Sequence, residues 1–213
     1  YAAWSNLNRL LKQRNAALTQ NQPYSAIKVW DVELAKLAHQ VSQWRAEYAE
    51  ALRPEIEQTC QLFLPELEIN VSFHQGWEKN RDYSEILEQN FERDRALNYT
   101  FSGPQKADFR FKAQGLPVED VLSRGQLKLL MCALRLAQGE HLMKEKQRHC
   151  IFLIDDFASE LDQYKRALLA ERLQQSGSQV FVTAITQEQL KEMQVENRKM
   201  FSVDNGIIKT LIR

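Results

Sequence analysis

Apolar positions recur along this chain with two periods, and the switch between them predicts its organisation. Trp4, Leu7, Leu11 and Leu18 form a helical stripe that stops at the Asn21-Gln22-Pro23 turn. A second helix places Trp30, Leu34, Leu37, Val41, Trp44 and Tyr48 at alternating four- and three-residue steps. That seam covers about two heptads, short for an extended coiled coil and suited to an antiparallel helical arm. At this spacing the aromatics read as packing residues rather than as platforms for nucleic-acid bases. Pro54 lets the helix restart, and Ile56, Cys60 and Phe63 carry its apolar face to the break at Pro65. Residues 1–65 are expected to form this helical arm, or lid, and 66–213 a second domain.

From Leu67 the period becomes two. Leu67, Ile69, Val71 and Phe73 alternate as a half-buried strand. Trp77 to Tyr83 reads as a polar turn and Ser84 to Arg95 as a helix; Tyr99 to Phe101 and Ala107 to Lys112 read as strands flanking Gly103-Pro104. Leu127, Leu129, Leu130, Leu134 and Leu136 make a strongly apolar helix that Gly139 is expected to close. Cys150 to Ile154 is an apolar run of the kind buried on both faces in the middle of a parallel sheet. A helix follows from Gln163 to Gln174, then a strand from Val180 to Ala184 and a short helix from Gln187 to Met193. Asn205-Gly206 fits a type I′ turn between strands at Met200–Val203 and Ile207–Leu211. Strand, helix, strand around an acid-tipped central strand indicates an α/β fold with a doubly wound sheet.

Candidate chemistry gathers at two points of that sheet. Asp155 and Asp156 follow the apolar strand at its carboxyl end, where open α/β sheets place ligands. Apolar strand plus acid is the shape of a Walker B element, in which the first acid holds Mg²⁺ and the second can orient the attacking water. A strand ending in a solvated acidic turn has the same pattern. Upstream, Leu122-Ser123-Arg124-Gly125-Gln126 opens the apolar helix, with Ser123 at the N-cap and Gly125 letting backbone come close to a ligand. Such a helix start offers free N–H groups and roughly half a positive charge to an anion. An ordinary capped core helix begins the same way. The order and spacing of the two segments, however, are those of the signature helix and Walker B of ABC-type ATPases.

With Ser102-Gly103-Pro104 added, these segments, through Ile154-Asp155-Asp156-Phe157-Ala158-Ser159-Glu160-Leu161-Asp162, resemble the RecF family of bacterial recombination-repair ATPases, relatives of the SMC heads. The resemblance implies a partial ABC/SMC-type ATPase head carrying an antiparallel helical arm. It implies that Asp155 holds Mg²⁺ through its water shell. Asp156 takes the place of the usual water-activating Glu; it is one methylene shorter, which implies slow turnover. Ser123 and the Gly125 backbone would touch the γ-phosphate of ATP held by the opposite subunit, with Arg124 and Gln126 completing that motif. Asp162 would belong to the turn that crosses the dimer interface. Ala184 stands where many relatives carry a phosphate-sensing His, and Gln105-Lys106 departs from the family's His-Arg pair. The implied ligands are ATP with Mg²⁺, single-strand–duplex junctions and duplex DNA. The implied partners are RecR, RecO and a second copy, in support of RecA loading at gaps.

No Gly-x-x-x-x-Gly-Lys-Ser/Thr run occurs among the seven glycines. The expectation is therefore that the chain is a C-terminal fragment from which the family's N-terminal, P-loop-bearing part is missing, inactive alone as an ATPase. Charge is balanced, 28 basic against 28 acidic residues, so a nucleic-acid surface has to be a local patch. Lys144, Lys146, Arg148 and His149 form one candidate, and Arg9, Lys12 and Arg14 another. The three cysteines lack metal-ligand spacing and suit a reducing compartment. With no signal peptide or membrane span visible, a cytoplasmic place is expected. Two other readings compete with the ATPase one: a helical-arm DNA- or partner-binding module without nucleotide chemistry, and a metal nuclease using Asp155 and Asp156 directly.

Overall fold

The computed structural model describes residues 1–193 and 197–211. They form two compact units, residues 1–57 with 69–118 and residues 58–68 with 119–213.

The first unit is built on a helical hairpin. Helix α1 spans Ala2–Thr19, and α2 spans Tyr24–Phe63 without interruption at Pro54, its residues from 58 on belonging to the second unit. A proline inside a helix costs about 3 kcal/mol. Here it lies between Leu52 and Ile56, both fully buried, whose packing offsets that cost. Leu7, Leu10 and Leu11 of α1 pack with Leu34, Ala35, Ala38 and Val41 of α2, and Ala17 and Leu18 with Ile27 nearer the turn. The pairing is antiparallel, as the periodicity predicts. Its seam differs: Ala35 and Ala38 join the buried cluster, while Trp44 and Tyr48 stay half exposed.

Strand β1 (Ile69–His74), helices α3 (Tyr83–Gln89) and α4 (Phe91–Leu97), strand β2 (Asp108–Ala113) and the short β3 (Leu116–Pro117) complete this unit. β1 and β2 pair antiparallel, with Val71 opposite Phe111, and β3 adds to β2. The sequence reading cuts the chain after residue 65; the compact units instead join 69–118 to the hairpin. The reason is visible at Trp77 and Tyr83, expected in a polar turn and found in the helical core. The Tyr83 hydroxyl donates to Ser102 O at 2.6 Å, and burial pushes its pKa up. No strand forms at Tyr99–Phe101.

Arg14 requires a correction. Expected among DNA-facing cations, it is fully buried. Its Nε donates to Asp31 Oδ1 and its Nη1 to Asp94 Oδ2, both at 2.7 Å, and Nη1 also reaches Thr100 Oγ1 at 2.9 Å. Burial alone would lower its pKa, but the bonds and charges of the two aspartates outweigh that and hold it up.

The second unit contains α5 (Val118–Val121), α6 (Arg124–Lys146), β4 (Ile151–Ile154), α7 (Gln163–Gln175), β5 (Gln179–Val182), β6 (Met200–Asp204) and β7 (Ile207–Leu211). β4 and β5 run parallel around α7, with Leu153 beside Phe181. Phe152 and Ile154 face inward. Gly139 of α6 lies against Phe152, where a Cβ would come within 2.7 Å of the ring, and α6 also touches α7. Gly139 is therefore a point of close approach and not a helix end; α6 continues to Lys146 and is capped by left-handed Gln147. The opposite face, with Ile151 63% and Leu153 77% exposed, is open, so the strand expected to be buried on both faces is covered on one. β6 and β7 form the expected hairpin, Asn205 and Gly206 taking φ of 48° and 79°.

Candidate functional site

The carboxyl end of β4 is fixed by the strand beside it. Thr183, just beyond β5, donates its N–H to Ile154 O and accepts from Phe157 N–H, each at 3.0 Å. Its hydroxyl donates to Asp155 Oδ1 at 2.5 Å and accepts from Asp156 N–H at 2.9 Å. One residue thus orients the exposed Asp155 carboxylate and the backbone of Asp156 together. Thr183 carried no motif; the signal available was a hydroxyl at the carboxyl end of a neighbouring parallel strand, a usual ligand position. Ala184 follows it with only a methyl group.

The turn beyond is strained and well anchored. Asp156 and Glu160 are left-handed, with φ of 49° and 62°, a conformation that costs roughly 1–3 kcal/mol for a non-glycine residue. Phe157 is fully buried, and Ala158 and Leu161 nearly so, which fixes the turn to the core. Asp162 then caps α7, accepting from Lys165 N–H at 2.9 Å. That backbone bond holds the Asp162 carboxyl below its ordinary value.

The amino end of α6 abuts this turn. Ser123 Oγ accepts from Gln126 N–H at 3.3 Å, and Gln126 Oε1 accepts from Ser123 N–H at 2.9 Å. This is the reciprocal box that Ser and Gln three residues apart can form. Gln126 Nε2 donates onward to Glu66 Oε1 at 3.3 Å. As at any helix start, the first-turn N–H groups of Arg124 and Gly125 have no acceptor within the helix. Ser123 and Arg124 are both exposed. A Cβ on Gly125 would lie 2.4 Å from Glu160 O. The close approach expected to a ligand is, in the first place, to the chain's own acid-bearing turn. Lys128, one helical turn on, donates from Nζ to Asp156 O at 2.7 Å and Ser159 O at 3.0 Å. The expected site residues therefore lie on two segments in direct contact.

Beside β4 runs a groove of about 550 Å³, lined by Lys128, Cys132 and Leu136 of α6 and by Phe152, Leu153 and Asp155. Burial pushes the Cys132 thiol up. Among the described residues no group of three or more His, Cys, Asp or Glu stands together to hold a metal ion. A single oriented carboxylate suits Mg²⁺, which keeps much of its water and takes further ligands from phosphates. Among the described residues no helix is long and apolar enough to cross a membrane.

Comparison with known proteins places the chain in a family. The family model described as RecF/RecN/SMC N terminal domain matches residues 6–209. The chain is 94% identical over 211 residues to the DNA replication and repair protein RecF of Haemophilus influenzae (strain 86-028NP), covering 99% of this chain and 59% of that protein. It is 77% identical to the RecF of Pasteurella multocida (strain Pm70), again over 59% of its length. The chain thus spans about three-fifths of these relatives. A solved structure described as the recombination mediator protein RecF-ATP in the RecFOR pathway superposes with a TM-score of 0.78 at 20% identity, covering 99% of this chain and 58% of that one. One expectation is corrected. A model described as an N-terminal domain matches nearly the whole chain, so the chain is not set down as lacking the P-loop-bearing part of the family. The mixed helix-and-sheet fold is that of the solved RecF structure, and the chain belongs to the RecF/RecN/SMC family.

Proposed function

We propose that this chain provides one face of a nucleotide-gated contact between two copies of a RecF-like DNA replication and repair protein. The observation that carries this reading is the joining of the capped α6 start to the Asp155–Asp162 turn by Gly125 and Lys128. The Ser123 hydroxyl and the Arg124 and Gly125 N–H groups present donors to the γ-phosphate of ATP held by the opposite copy, with Gln126 fixing the cap. Asp155, oriented by Thr183, holds the Mg²⁺ that neutralises phosphate charge when nucleotide is bound. Asp156 orients water, and its short side chain and strained backbone make turnover slow. Asp162 places its turn at the contact between copies. Loss of the γ-phosphate removes the acceptor these donors share and weakens the contact.

DNA, at duplexes and single-strand–duplex junctions, is the ligand of the assembled protein in this reading, with RecR and RecO as partners and the cytoplasm as its place. Local basic residues support it: Arg9 and Lys12 are exposed on α1, and Lys146, Arg148 and His149 follow the core of α6. Relatives described as DNA replication and repair proteins point the same way. In the full-length protein, Ser123→Arg should leave ATP affinity within about twofold and abolish ATP-dependent dimerisation, read by sedimentation velocity. Normal dimerisation of that variant would remove the assignment.

A further inference from the structure

Lys128 lies on the α6 turn that follows the phosphate-facing donors, and its ammonium is committed to the backbone of the acid-bearing turn. Asp156 O at 2.7 Å and Ser159 O at 3.0 Å are its two acceptors. Among the described residues it forms no ion pair. It is half-buried, and it shares the groove beside β4 with the Asp155 carboxylate. A cation placed between two carbonyls does two things at once. It closes the turn across Asp156 to Ser159, where left-handed Asp156 would otherwise relax. It also ties that turn to the helix whose amino end carries Ser123. Gly125 against Glu160 O is a second point of contact between the same two segments, and one that leaves no slack. Two contacts one helical turn apart make a lever: the turn cannot rotate without moving the start of α6, nor the reverse.

We propose that Lys128 is a positioning residue, coupling occupancy of the Ser123–Gly125 helix start to the placement of Asp155 and Asp156. This rests on the nucleotide-gated reading above. Lys128 touches neither substrate nor metal in this scheme; it acts by holding two backbone carbonyls. A donor of comparable reach serves in its place, whereas an apolar side chain of similar length fills the volume without holding the turn.

The test uses the full-length protein, comparing wild type, Lys128→Met and Lys128→Arg for ATP affinity, kcat, ATP-dependent dimerisation and thermal midpoint. Lys128→Met is expected to bind Mg·ATP within about twofold of wild type and to lose about 10–100-fold in kcat, the loss seen when reacting groups are slightly misplaced. Lys128→Arg should recover most of that loss, because a guanidinium can donate to both carbonyls. A purely structural lysine would lower the thermal midpoint and leave kcat per folded molecule unchanged, which overturns the inference. So would an arginine variant as slow as the methionine one while melting within about 3 °C of wild type. Should Lys128→Met fail to accumulate, Lys128→Gln, which keeps an uncharged NH2 donor group on a shorter stem, is read by the same criteria. If wild type itself shows neither ATP-dependent dimerisation nor turnover, the underlying functional reading fails, and the two failures are thereby told apart.

Discussion

At the scale of single residues, the most consequential group outside the site is Arg14, which sits between two buried carboxylates. One cation against two anions leaves an excess negative charge in a dry interior, and Asp31 Oδ2 has no hydrogen-bond partner. Burial raises the Asp31 and Asp94 carboxyls above their ordinary value, and Arg14 pulls them only part of the way back. A carboxyl whose folded pKa exceeds its unfolded one binds its proton more tightly when folded. Its contribution is fully present below the unfolded value and is lost as pH rises through the folded value. This cluster therefore opposes the usual trend of acid denaturation. In Asp31→Asn an uncharged orphan atom replaces a charged one and the bond from Arg14 Nε is kept. Urea unfolding from about pH 4 to 7 should show the variant gaining on wild type as pH rises. A variant that instead falls further behind toward neutrality would show that the charge is welcome. Arg14→Met, which strands both anions, should cost about 3–5 kcal/mol by the same measurement.

Elements were legible where local chemistry and burial agree. The α1 stripe, the Ser123 box that starts α6, and the Asn205-Gly206 hairpin are all written in neighbouring residues. What stayed hidden depends on contacts distant in sequence. Pro54 looked like a break because nothing nearby discloses that the apolar face through Ile56 continues back to buried Leu52. Trp77 and Tyr83 looked like turn residues because the helices that cover them lie some forty positions earlier, as with His39, whose ring stands edge-on to Trp77 at 5.7 Å. Within the candidate site, motif spacing singled out Ser123, Gly125 and Asp155 as candidates, and the structure brings their two segments into contact. Thr183 and Lys128 work through backbone geometry, which spacing does not encode. Gly139 is the sharpest case, since a helix stop and a close approach predict opposite signs. Helix propensity alone would make Gly139→Leu stabilising by about 1 kcal/mol. The Phe152 ring 2.7 Å from a Cβ makes it destabilising by about 1–3 kcal/mol. Chemical denaturation of the pair decides between them, and a more stable leucine variant would refute the packing role.

On the scale of the whole molecule, the open side of the β4–β5 pair sets how the chain behaves by itself. Ile151, Leu153 and Phe181 present a contiguous apolar face, and among the described residues β4 has a neighbour along only one edge. Such an edge is a template for pairing with another chain. Leu153→Lys should therefore reduce concentration-dependent self-association of the isolated chain in light scattering without lowering its unfolding midpoint. Unchanged association would place the sticky surface elsewhere. The same feature bears on quality control at the bench. Dyes such as ANS brighten on exposed apolar surface and are taken as a mark of loosened, molten protein. A correctly folded preparation of this chain would brighten them too, so near-ultraviolet circular dichroism is the sounder gauge of whether a variant still holds its native packing.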